Sequence, residues 1–234
     1  MRDASSPSSV QRRAKSSNTA FSTCRVIGCP HPARAASQNG LDRRFCRKHA
    51  DHYSRHGSPY KRSYSAGELK PHRATVRAWL KANRDDRWVV NALQRIDGLY
   101  ARAGAHVEAF RLAGLDSRER ARKAWARLRT TGVDPIKVLE AWLVVDRMIA
   151  ADPQPDDSAE FRRVQAAKIV HRLASGSHKT WVREVPRMVG VVNVPIKHVT
   201  ELHKYPHSRG LVLRVIGAEI EEACGLVRFP EIVG

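Results

Sequence analysis

Cys24, Cys29, Cys46 and His49 stand at the spacing Cys-x4-Cys-x16-Cys-x2-His. Three thiols and one imidazole form a complete tetrahedral donor set of the kind that holds Zn2+, with thiolate sulfur as the soft ligand and imidazole as the borderline one. Four protein donors leave no open position for water or substrate, so the pattern implies a structural site and not a catalytic one. The chain has only four cysteines. The fourth, Cys224, lies far from the others and reads as an ordinary buried thiol. In a reducing compartment such a cluster holds metal in preference to forming disulfides. His31, His52 and His56 are alternative fourth ligands by spacing; His49 ranks above them because Cys-x2-His is a common second pair.

The elements that must position these donors follow from local sequence. Gly28 supplies a tight turn between Cys24 and Cys29, so that both sulfurs can face one ion. Cys46 and His49 are three residues apart at the start of a short helix, where that step keeps two side chains on one face. A knuckle followed by a helical turn is a treble-clef-like arrangement. Residues 23–64 are too few to build a core unaided and would fold around the metal.

Charge identifies the class of partner. Lys and Arg number 42 against 23 Asp and Glu, a formal charge of +19. Residues 1–64 carry +10, residues 65–151 carry +7 and residues 152–234 carry +2. A positive field concentrated around the metal motif predicts a polyanionic partner, nucleic acid and first of all double-stranded DNA. Arg43, Arg44, Arg47, Lys48, Arg55 and Arg62 are the candidate phosphate contacts. Arg47 and Lys48 lead, because they sit between two ligands and must point away from the ion. Residues 1–22, rich in Ser, Arg and Lys, read as a disordered basic tail. No stretch is apolar enough to span a bilayer and residues 1–20 lack a signal-peptide run, so the expected location is the cytoplasm, nucleoid-associated or in a host cell.

Beyond Ser65 the text reads as capped helices, giving a mainly α fold with a helical, bundle-like body over residues 65–175. Pro71 suits a first helical turn ahead of Val76, Trp79 and Leu80. Asp85 or Asp86 caps a second helix, which is expected to break or bend near Gly104 and resume through Val107, Phe110 and Leu112. Asp116 to Glu119 resembles a capping box, with Ala121, Trp125 and Leu128 inward and Arg118, Arg120, Arg122, Lys123, Arg127 and Arg129 outward. Asp134-Pro135 starts the most apolar helix, the expected centre of the core, and another helix runs from Asp157 to about Ser175. Residues 176–234 are expected to hold an extended stretch around Val189 to Val194 and a last helix from Ser208 to Gly225. Trp79, Trp88, Trp125 and Trp142 fall on apolar stripes; Trp181, near Lys179 and Arg183, is the one indole placed to stack on a base.

The residues from Cys24 to Pro30, with Arg43 to His49 and the tail His52, Tyr53, Arg55, Gly57 and Pro59, resemble a small zinc module of phage and mobile-element proteins that often precedes HNH endonuclease domains. The resemblance covers about forty residues and implies DNA association and a metal. It implies nothing about residues 65–234. The hairpin-and-helix catalytic unit of such nucleases has no counterpart after Tyr64, and the histidines there are scattered without paired acids. The expected function is therefore that of a DNA-binding accessory or regulatory protein whose helical body contacts a protein partner. A diverged metal-dependent nuclease, and a helical interaction or assembly protein with scaffold zinc whose charge serves RNA or solubility, are the alternatives.

Overall fold

A computed structural model describes residues 23–33, 44–156, 158–174, 177–189, 192–204 and 210–229. The basic tail at residues 1–22 and the candidate Arg43 lie outside them. Seven α-helices and one two-stranded sheet are present among the described residues: α1 (Arg47–His56), α2 (Ala66–Ala82), α3 (Arg87–Arg102), α4 (Ser117–Thr130), α5 (Pro135–Ala151), α6 (Ala159–His171), β1 (Ser177–Val189), β2 (Val192–Lys204) and α7 (Leu211–Cys224). The fold is mainly α, as expected.

Caps start most of the helices. Ser65 and Glu68 form a reciprocal capping box at α2, Asp86 accepts from Trp88 and Val89 N–H at α3, and Asp116, Asp134 and Ser158 do the same for α4, α5 and α6. Each satisfies N–H groups that the first turn leaves orphaned. The box at Ser65 corrects the expectation for Pro71. The helix begins five residues earlier and Pro71 lies in its second turn, where it removes one ladder bond without undoing the cap.

The helix expected to resume after Gly104 does not. Gly104 takes φ +71° and only a 3-10 turn at Ala109–Arg111 follows. The carbonyls of Tyr100, Gly104 and Ala105 are taken instead by the side chains of Arg129 and Lys123 from α4, which satisfies the end of α3 without further helix.

One apolar cluster runs from Leu69 to Val227. α5 is its centre, touching α2, α3, α6 and α7, with Val138, Leu139, Leu143 and Val145 fully buried. α7 shares that role, lying against α6, α4, α3 and α5. Its approach to α6 depends on Gly217, where a Cβ would stand 2.5 Å from the Arg163 carbonyl oxygen. Trp125 and Trp142 are core residues and Trp79 packs at the core's edge, whereas Trp88 is 39% exposed, its ring covered by the Arg87 guanidinium at 4.6 Å.

Residues 177–189 and 192–204 form two strands where one extended stretch was expected. They pair antiparallel in unbroken register from Ser177↔Lys204 to Val189↔Val192. Pro186 faces Pro195, which a continuous ladder tolerates only at a non-hydrogen-bonded pair. Both missing N–H groups then fall on the outer edges and blunt them against further strand addition.

Candidate metal centre

The knuckle and α1 bring together the four residues singled out by spacing. Cys24 N–H donates to the His31 carbonyl at 2.9 Å and Cys29 N–H to the Val26 carbonyl at 3.0 Å. Gly28, at φ +76°, turns the chain between them. Arg25 N–H donates to the Arg44 carbonyl at 2.8 Å, tying the knuckle to the segment that leads into α1. Cys46 is the N-cap residue of that helix, and His49 lies in its first turn.

The donor atoms converge. Cys24 Sγ lies 3.3 Å and Cys46 Sγ 3.4 Å from His49 Nδ1, and Cys29 Sγ lies 3.9 Å from Cys46 Sγ; all four lie within 4.8 Å of one another. A tetrahedral ion with metal–sulfur bonds of about 2.3 Å and metal–nitrogen bonds of about 2.0–2.1 Å has S···S edges near ~3.8 Å and S···N edges near ~3.5 Å. The spacing therefore fits one metal ion held through Nδ1. Among the described residues this is the one group of His, Cys, Asp and Glu close enough to hold an ion. Phe45 and Ala50 are buried with Cys24 and Cys46, and Val26 and Tyr53 cover them, so the site has a small apolar wall of its own.

Its electrostatics favour a cation. Burial opposes ionisation of Cys24, but N–H groups of Cys46 and Val26, with His49 and Cys29, bring that thiol down to about 7. Cys29 receives the His31 N–H, yet burial and the neighbouring Cys24 and Cys46 sulfurs raise it overall. Crowded thiols share protons until a dication displaces them.

The alternative histidines have other partners. His52 Nδ1 bonds the Ser58 carbonyl at 2.8 Å. His56 Nδ1 accepts from Ser63 N–H at 3.0 Å, and burial together with Lys168 pushes its pKa down to about 4. His31 contributes its carbonyl to the knuckle, and its side chain is exposed.

Arg44, Arg47, Lys48 and Arg55 are exposed around the cluster. The Arg44 guanidinium stands 5.4 Å from the centres of both the Phe45 and Tyr53 rings. Arg62 differs, since it forms a two-pronged pair with Glu68 at 3.1 and 2.8 Å and helps fix the start of α2. On α4 the outward row has three exceptions, one of them Lys123, whose ammonium donates to the Ala105 carbonyl. Arg127 is buried and donates to the His171 carbonyl, and Arg129 caps α3.

Sequence reasoning missed the residues that dock the metal module on the body. Arg214 of α7 donates to the Tyr53 and Ser54 carbonyls at 3.2 Å and pairs with Glu160. Gln165 donates to the His56 carbonyl at 2.7 Å, and Asp152 receives Lys61 and the Tyr64 hydroxyl. Gly57-Ser-Pro59 was the available signal: Ser58 is fully buried and its hydroxyl accepts from Lys61 N–H.

Compared with protein-family models, curated proteins and solved structures, the chain matches none of them.

Proposed function

We propose that this chain is a zinc-stabilised DNA-binding accessory or regulatory protein of phage or mobile-element type. The observation that carries the reading is that Arg44, Arg47, Lys48 and Arg55 are exposed on the one small unit whose backbone four metal donors would make rigid. Preorganised cations lose little entropy on meeting phosphates, and such contacts position a protein on duplex without reading sequence. Three thiolates and an imidazole in a closed tetrahedron suit Zn2+. The ion would hold the fold of the module and take no part in a reaction.

Trp181, 46% exposed on β1 and two residues from the exposed Arg183, supplies a second surface of the right chemistry.

The test is metal analysis together with mobility-shift titrations on double-stranded DNA, single-stranded DNA and RNA. Four phosphate contacts predict about 100-fold weaker duplex binding as salt rises from about 50 to 200 mM. Affinity indifferent to salt removes the proposal. Preferential retention of RNA moves it to the assembly reading, and plasmid cleavage with Mg2+ or Mn2+ moves it to the nuclease reading.

A further inference from the structure

A cleft of about 240 Å³, lined by none of the four metal donors, lies between the Ser63–Leu69 stretch, α2, α5 and α6. Leu69, Val145 and Ile169 make part of its apolar lining, and Arg73, Lys168 and Arg172 its charged lining. Among the described residues no carboxylate lines it. Two other clefts differ in this respect. The neighbouring one contains Glu140, which is buried and neutralises Arg77 at 2.9 Å, Lys137 at 3.4 Å and Arg73 at 3.7 Å. The one between α3 and α7 contains Glu219 and Glu222.

Lys168 is the centre of the imbalance. Its ammonium bonds the Ser63 hydroxyl at 2.5 Å and lies 3.4 Å from His56 Nδ1, so its polar contacts are neutral groups. Burial, and Arg172 one turn further on, lower its pKa to about 8. A half-buried cation beside a second cation is costly unless an anion completes the set. Low-dielectric walls lined by one sign of charge focus the field and concentrate counter-ions.

We infer that this cleft is a binding site for a phosphate group, held by Lys168 and Arg172, with Arg73, which is paired with Glu140, at its edge. Guanidinium forks and an ammonium match phosphate oxygens in geometry and charge, and the apolar floor offers room for an attached organic group. The phosphate could belong to a soluble phosphate compound or to a nucleic-acid backbone. The site involves none of the metal module's exposed cations and does not depend on the DNA reading.

The experiment titrates the full-length, metal-loaded chain with inorganic pyrophosphate, followed by calorimetry and by 31P NMR. Saturable binding is expected, weakened at least 10-fold by Lys168→Met and by Arg172→Met and unchanged by Arg118→Met on α4. Arg172 is exposed and lies past the end of α6, so its variant keeps the test open if Lys168→Met fails to fold. A duplex oligonucleotide that displaces pyrophosphate assigns the site to backbone phosphate; no displacement assigns it to a soluble compound. Non-saturable binding, or equal binding by wild type and Arg172→Met, overturns the inference. The metal-module reading fails on a different result, salt-independent duplex binding.

Discussion

Gly57, at the C-terminal end of α1, lies directly against Glu160 of α6: a Cβ at position 57 would stand 2.9 Å from the Glu160 carbonyl oxygen and 3.0 Å from Phe161 Cα. The glycine also takes φ +80°, the left-handed cap of α1, with its N–H on the Tyr53 carbonyl. Two constraints therefore meet at one residue. The backbone conformation favours glycine, and the space admits nothing larger.

Gly57→Ala should accordingly cost about 2–4 kcal/mol, the left-handed strain of about 1 kcal/mol adding to overpacking of about 1–3 kcal/mol. Gly104, at φ +71° with no heavy atom within 4 Å of a Cβ, isolates the first term. Gly104→Ala should cost only about 1 kcal/mol. Urea unfolding of both variants checks the pair, and equal losses would remove the close approach as a cause.

Metal removal should act locally. The Cys24, Phe45, Cys46 and Ala50 cluster is separate from the main core, so a chelator or Cys29→Ser should abolish stoichiometric metal while leaving most far-UV helical signal. Binding to duplex should fall with the metal if the ordered module is what contacts phosphate. Loss of the whole helical signal would show that the body depends on the module.

Acid should destabilise the protein before its carboxylates protonate. His171 is buried, and burial with Arg127, Arg172 and Arg120 nearby pushes its pKa down to about 3; His56 falls to about 4. Both stay neutral in the native state while the unfolded chain binds protons below about pH 6.5. Their contribution is whole above that pH and is lost as pH falls toward the folded values, by at most about 2 kcal/mol for buried His171 at pH 5 and by less for His56, whose exposure lets water screen its charge. His171→Gln should flatten that part of the stability–pH curve measured by urea titration.

Glu140 joins α5 to α2 through Arg77 and Arg73, and pairs with Lys137 of its own helix. Because those cations are 31–54% exposed and regain water when released, Glu140→Gln should cost about 1–2 kcal/mol, less than breaking a fully buried pair. Thermal unfolding at low and high salt measures it. A much larger loss would mean that the three cations cannot move apart.

The four donors and the mainly helical character were legible in the chain because both depend on short-range spacing. Cys46 and His49 converge through one helical turn, Cys24 and Cys29 through a turn made by Gly28, and the caps at Asp86, Asp116 and Asp134 act within three residues. The hairpin was not legible. Its pairing joins residues up to twenty-seven apart, and Pro186 and Pro195 argue against strands unless their mutual register is known. The direction of Arg127 was equally hidden, since only the position of α6 decides that it points into the core.

What the sequence alone determined was therefore local: which atoms can ligate, where helices start and stop, and the sign of the field around the chain. Tertiary structure decided that His52 and His56 take other partners and how Gly57 and Arg214 seat the metal module on the body. It also decided that Arg62 meets a carboxylate while Lys168 and Arg172 share a cleft without one. Those outcomes turn on distances between residues far apart in the chain, which packing of the α5 and α7 core sets and no spacing rule contains.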